Sequence, residues 1–244
     1  MEKQDIKSMP QEELRAFLVS LGEKPFRTAQ IYQWMHEKLA SSFDDMTNLS
    51  KVLRQKLQDA CEYVSLEKVR VQISQIDGTR KYLFRLADGN VIESVLMRYK
   101  HGNSVCISSQ VGCRMGCRFC ASTLDGLERN LRPSEMLDQI YQIQRDTGER
   151  VSNVVVMGSG EPLDNYDNLI RFIHLLTEEG GLHISQRNVT VSTCGLVPKI
   201  RELADQGLTI TLALSLHAPN DEVRKSLMPI ARTYALKDVL AACH

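Results

Sequence analysis

The sequence predicts an α/β fold: a parallel sheet curling part-way into a barrel of about four strand–helix units, behind a small helical domain and a short β meander. Three observations carry this. Apolar residues recur at helical spacing up to about residue 62. Two Asp-Gly turns divide three extended runs between about 66 and 97, and beyond residue 103 apolar strands alternate with amphipathic helices. The expected bounds are 1–65 for the helical domain, 66–100 for the meander and connector, and 101–244 for the barrel core.

In the helical part, Leu14, Phe17, Leu18 and Leu21 share one face, followed by Ile31, Trp34 and Met35 and then Leu53 and Leu57. Gly22 and the Ser41-Ser42 pair separate these stretches. The meander runs are "EKVRVQIS", "RKYLFRL" and "VIESVLM", with Asp77-Gly78 and Asp88-Gly89 between them. Four parallel strands are expected near "SVCISS", "NVVVMG", "NVTVST" and "LTITLALS". Of the helices between them, one is opened by Ser134 as N-cap after Pro133, one at 167–178 is closed by Gly180-Gly181, and one at 198–206 is closed by Gly207. Four units neither close a barrel nor cover the last strand's edge, so the natural protein is expected to be longer or to have that edge covered by another chain.

With 244 residues, 43% of them apolar, the chain can bury a sizeable core and is not intrinsically disordered. Its first residues lack the apolar stretch of a signal peptide, and no run approaches the roughly 18 apolar residues of a membrane span. The expectation is a cytoplasmic protein with no membrane partner. Seven cysteines, unevenly clustered, read as a metal or redox site in a reducing compartment rather than a disulfide framework. Formal net charge is zero, so a nucleic-acid partner is not announced by bulk charge. Locally, Arg114, Arg118, Arg129 and Arg132 fall close together and, with Lys24 and Arg27, are candidate phosphate ligands, set against the plainer reading of a solvated surface.

The chemistry concentrates in "SVCISSQVGCRMGCRFCAST", where Cys113, Cys117 and Cys120 are spaced C-x3-C-x2-C. A structural zinc site wants four protein ligands, and here the fourth would have to be Cys106 or His101. Three thiolates suit a four-iron, four-sulfur cluster with one iron left open for a substrate. Cys61, Cys194 and Cys243 read as structural cysteines.

The triplet, with Phe119 before its last cysteine, resembles the signature of the radical S-adenosylmethionine (SAM) superfamily. The blocks "CISSQVGCRMGCRFCAST", "LERNLRPSEMLDQI", "VVMGSGEPLDNYDNL", "VTVSTCGLVPKI" and "LALSLHAPNDEVRKSLMPI" narrow the likeness to the RlmN/Cfr family of radical SAM RNA methyltransferases. The opening "GEKPFRTAQIYQWMH" is similar to that family's N-terminal domain, so the resemblance covers essentially the whole chain. It implies the partial form of a radical SAM (β/α)6-type barrel.

It further implies that Cys113, Cys117 and Cys120 hold a 4Fe-4S cluster and that Gly160, Glu161, Ser192, Ser215, Leu216 and His217 contact SAM. The small residues of "GSG" would let the backbone approach that ligand closely. In the family's reaction one SAM methylates a cysteine near the C-terminus, and a second supplies the radical that activates the methyl group for addition to adenine. A resolving cysteine then releases the RNA by forming a disulfide. Cys106 matches the resolving cysteine and Glu93 the acid/base residue; from the residues alone Cys106 reads as a buried thiol and Glu93 as a solvent-facing strand residue. The methyl-carrying cysteine of the family pattern lies beyond residue 244, which implies that the chain as given cannot complete methyl transfer.

The implied partners are 23S rRNA, transfer RNA as an additional substrate, and an external electron donor such as flavodoxin or ferredoxin. The expected product is adenosine methylated at carbon 2. The alternatives are methylation at carbon 8 in the Cfr manner, another radical SAM enzyme such as a glycyl-radical activator or thioether maturase, or a non-catalytic zinc-stabilised RNA-binding module.

Overall fold

The structure, a computed structural model, describes residues 3–244. Its N-terminal part contains α1 (Gln11–Ser20), α2 (Arg27–His36) and α3 (Lys51–Ala60). Leu14, Leu18, Ile31, Met35, Leu53 and Leu57 are all buried, as their spacing requires. Ser50 caps α3, its hydroxyl accepting the Leu53 amide at 3.2 Å. Two-residue parallel strands, β1 (Gln4–Asp5) and β2 (Cys61–Glu62), tie the beginning of this part to its end.

The meander strands β3 (Glu67–Ile73), β4 (Arg80–Arg85) and β5 (Val91–Tyr99) continue into β6 (Gly102–Ile107), which pairs antiparallel with β5 and parallel with β9 (Val151–Val156). Parallel β10 (Val189–Thr193) and β11 (Thr211–Leu214) complete one seven-stranded sheet in the order β11-β10-β9-β6-β5-β4-β3. The meander is therefore part of the barrel sheet as well as a connector. A small hairpin, β7 (Gln110–Gly112) with β8 (Leu127–Asn130), brackets the cysteine loop and has no counterpart in the sequence expectations.

Register assigns the two faces of this sheet. Ile92, Leu96, Val105, Ile107, Val154, Val156, Val189 and Val191 lie on one face and are all buried. Ser94 on that face donates to Gln139 of α4 (Pro133–Thr147) at 2.7 Å, so the helix layer covers this side. The opposite face carries Glu93, Val95, Cys106, Val155 and Ser192, none of them fully buried. The remaining helices are α5 (Tyr166–Thr177), α6 (Val197–Asp205), α7 (Asp221–Leu227) and α8 (Leu236–Cys243).

One expected cap is corrected. Arg132, not Ser134, is the N-cap of α4, and Pro133 and Ser134 are its first two helical residues. The Glu135 carboxylate reaches back to the Arg132 amide at 2.8 Å. The Ser134 hydroxyl is engaged elsewhere, donating to Asp5 at 2.5 Å, while its amide donates to Ser8. The same helix receives the N-terminal segment through a buried ion pair, Lys7 to Asp138 at 2.9 Å.

Candidate active site

The cysteine loop follows β7 and returns through β8. The Cys113 amide donates to the Gly126 carbonyl at 2.8 Å, and Thr123 caps two further carbonyls, those of Cys117 and Cys120. Gly112 is obligatory here: its φ is +73° and a Cβ would fall 2.0 Å from the Gly126 oxygen. The far side of the loop is anchored by the Arg118 amide, which donates to the Leu227 carbonyl of α7 at 2.9 Å.

This arrangement turns Cys113, Cys117 and Cys120 toward one cavity of about 220 Å³. A larger open depression, about 780 Å³, runs along α5 but gathers no thiol. Burial pushes the Cys113 thiol up, and burial together with the neighbouring cysteines pushes Cys117 up to about 11. Left to themselves the two stay protonated thiols, and they become thiolates when a cationic metal centre compensates them.

Among the described residues no three His, Cys, Asp or Glu groups are gathered tightly enough to hold one metal ion. A four-iron cube makes a weaker demand, because each thiolate binds a different iron and the sulfurs stand further apart. Neither Cys106 nor His101, the possible fourth zinc ligands, lines the cavity, and His101 instead stacks on Tyr99 in the turn after β5.

The loop after β9 forms the opposite wall. Gly158, Gly160 and Glu161 line the cavity. The glycines have a packing role that the expectation of ligand approach did not include. A Cβ on Gly158 would meet Ser108 at 2.7 Å, and one on Gly160, at φ +106°, would meet Gln110 at 2.6 Å. They let the β9 loop lie directly on the segment after β6. Glu161 is buried, its carboxylate accepting the amides of Cys194 at 2.7 Å and Leu163 at 3.2 Å. Burial raises its pKa and these amides oppose the rise.

Ser192, Ser215 and His217 complete the wall at the ends of β10 and β11, whereas Leu216 is 38% exposed and does not line the cavity. The Ser192 hydroxyl donates to the Val156 carbonyl at 3.0 Å. His217 holds a left-handed φ of +55° and packs its ring 4.5 Å from that of Phe119. Cys194, read from the sequence as structural, also lines the cavity; burial and the adjacent Glu161 carboxylate push its thiol far above the ordinary range.

Glu93 and Cys106 lie outside the cavity lining but on the sheet face that bears Ser192. Glu93 pairs with Lys81 at 2.6 Å and is half-exposed. Cys106 is partly buried, which raises its thiol pKa. Most of the arginine group is already engaged: Arg114 pairs with Asp164, Arg129 with Asp88 and Glu135, and Arg132 with Glu62. Arg118 and Lys24 are exposed, with no ion pair among the described residues.

Residues 107–244 match the family model of the radical SAM superfamily, and residues 4–63 match the ribosomal RNA large subunit methyltransferase N-terminal domain. A protein named "Probable dual-specificity RNA methyltransferase RlmN" from Lachnospira eligens is 71% identical over 239 residues, covering 98% of this chain and 68% of its own length. One of the same name from Lachnoclostridium phytofermentans is 64% identical over 242 residues, covering 99% and 68%. The chain belongs to the RlmN family of radical SAM RNA methyltransferases.

A crystal structure of a radical SAM methyltransferase from Sphaerobacter thermophilus superposes with a TM-score of 0.93 at 41% identity, over 98% of this chain and 71% of that one. The chain thus spans about two-thirds of the length of its relatives. Membership in the RlmN family implies a 4Fe-4S cluster and SAM, and buried thiols around a cavity rimmed by strand ends fit that pair. The zinc-module and glycyl-radical-activator alternatives fall away with it. No helix among the described residues is long and apolar enough to cross a membrane.

Proposed function

We propose that this chain carries the core of an enzyme that methylates carbon 2 of adenosine in 23S rRNA, and in transfer RNA, through a methyl-cysteine intermediate. The observation that carries the reading is that residues far apart in sequence share one open region. The three cysteines, Gly160, Glu161, Ser192, Ser215 and His217 line one cavity, and Cys106 and Glu93 sit on the adjoining sheet face. When bound, the cluster and SAM would supply reductive cleavage of the sulfonium to a carbon radical.

The chain's own residues divide the remaining work. Cys113, Cys117 and Cys120 are the cluster ligands, leaving one iron for the cofactor. The Ser192 and Ser215 hydroxyls and the Gly160–Glu161 backbone orient SAM, and Leu216 contributes through its main chain. The Cys106 sulfur would bond to the sulfur of the family's methyl-carrying cysteine as that cysteine's S–C link to the RNA breaks, the carbon keeping the electron pair and taking a proton to become the methyl group. Burial holds the Cys106 thiol above its ordinary range beforehand. Glu93, half-exposed on the same face, handles the ring proton once Lys81 releases it. The enzyme works in the cytoplasm, where its RNA substrates are, and takes electrons from a flavodoxin- or ferredoxin-type donor.

Two measurements test this. Anaerobically reconstituted protein should bind iron and acid-labile sulfide and release 5′-deoxyadenosine from SAM under dithionite, and Ala replacement of any of the three cysteines should abolish both. Mass spectrometry of rRNA nucleosides from a deletion strain complemented by the full gene should show 2-methyladenosine. The carbon-8 isomer in its place would refute the assignment.

A further inference from the structure

Arg224 on α7 is fully buried, yet it pairs with no carboxylate among the described residues. Its Nη2 donates to the Cys194 carbonyl at 2.5 Å, while Nε and Nη1, both closed off from solvent, have no partner. A guanidinium keeps its proton at any working pH, and an uncompensated buried charge is strongly destabilising. The other fully buried cation, Lys7, has Asp138.

The fold explains where the missing anion belongs. The Arg224 carbonyl accepts the amide of Met228, whose buried side chain packs with Cys117 and Cys194. Three residues further along α7, Leu227 holds the Arg118 amide of the cysteine loop. A Cβ on Gly195 would stand 3.2 Å from Nη2, so the residue after Cys194 is kept small against the guanidinium. The charge also reaches the Cys117 thiol, where it opposes the rise caused by burial.

We propose that Arg224 is the built-in counter-charge of the anionic centre held by Cys113, Cys117 and Cys120, and that it sets how readily this centre accepts an electron. The proposal rests on the radical SAM reading above. A cube held by three thiolates carries net negative charge and gains one unit more on one-electron reduction, so a fixed cation behind the loop favours the reduced form. Arg224 is thus a positioning residue that acts through the field at the cluster.

The test compares reconstituted wild type with R224K, R224Q and R224M. Gln keeps an N–H for the Cys194 carbonyl but drops the charge, and Lys keeps the charge. Redox titration with dithionite, followed by electron paramagnetic resonance, should show the reduction equilibrium of R224Q weakened about tenfold, about 59 mV. R224K should stay within about twofold of wild type. The second readout is thermal stability with and without the cluster: R224M should be at least as stable as wild type when cluster-free and should gain less on loading.

Equal potentials for R224Q and wild type would overturn the proposal. So would neutral variants that lose as much stability, or fail to fold, in the cluster-free form, since that marks a purely structural arginine. Wild type that takes up no iron or sulfide would sink the radical SAM reading and this proposal together, whereas a loaded wild type with indifferent variants sinks this proposal alone.

Discussion

Replacing Asp138 tests the buried charge network that fastens the N-terminal segment to α4. Its carboxylate is fully buried and accepts from Lys7 at 2.9 Å, Arg145 at 3.2 Å, the Leu66 amide at 2.7 Å and Gln142 at 3.1 Å. D138A leaves the Lys7 ammonium with the Val64 carbonyl at 2.5 Å and the Tyr63 ring at 4.3 Å, and no counter-charge. Stranding one partner of a buried pair costs about 3–5 kcal/mol, a large share of the roughly 5–15 kcal/mol that holds a domain folded.

The reverse change is milder. K7M leaves Asp138 three donors, one of them cationic, so its cost is that of a charged hydrogen bond, about 1.5–3 kcal/mol. K7M/D138A should recover at least about 1 kcal/mol relative to D138A, because no fully buried cation is left stranded: Arg145 is partly exposed and keeps the Leu39 and Ala40 carbonyls. Urea denaturation followed by circular dichroism reads all three variants. If D138A costs no more than K7M, the ammonium is not paying a desolvation penalty there and the argument from stranded charge fails.

Three further outcomes are expected. G160A adds a Cβ 2.6 Å from Gln110 at a left-handed φ, so it should destabilise by about 2–5 kcal/mol and lower iron uptake on reconstitution. Arg129 holds Asp88 down at about 2, below its ordinary 3.8; a depressed carboxyl contributes stability above the unfolded value and loses it as pH falls from about 4 toward 2. Solvent screening keeps that contribution below about 1 kcal/mol, and in urea titrations from pH 5 to 2 the D88N variant should show a shallower acid limb than wild type. R129A should cost stability, because the Arg129 guanidinium makes two bonds to buried Glu135 at 2.8 and 2.9 Å, yet leave the salt slope of RNA binding unchanged, whereas R118A should reduce that slope by about 1.

What could be read from the sequence divides along a physical line. Features fixed by neighbours in the chain were legible: the helical faces of Leu14 and Leu18, the strands on either side of Asp88-Gly89, and the C-x3-C-x2-C spacing of three cysteines on one short loop. The placement of Glu161, Ser192 and His217 at successive strand ends was legible too, because βα alternation puts those ends on one rim. Glu93 and Cys106 came only from the family resemblance. Nothing in an exposed strand glutamate or a half-buried strand cysteine marks it locally.

Features decided by a distant partner were not legible. Ser134 looks like a cap until Asp5, from the other end of the chain, takes its hydroxyl. Arg129 and Arg132 look like a phosphate rim until Asp88 and Glu62 fold against them. Gly158 and Gly160 read as room for a ligand, and their second role, close packing on Ser108 and Gln110, is set by a distant segment. Arg224 is the extreme case, since the charged stretch "NDEVRKSL" carries no local sign that one of its residues is fully buried. Its burial without an anion is visible only in three dimensions, and it has a physical rationale only if the charge it lacks arrives with the cluster. A chain that folds around an unpaired buried cation next to the cysteine loop should reveal the cost of that charge in its cluster-free form.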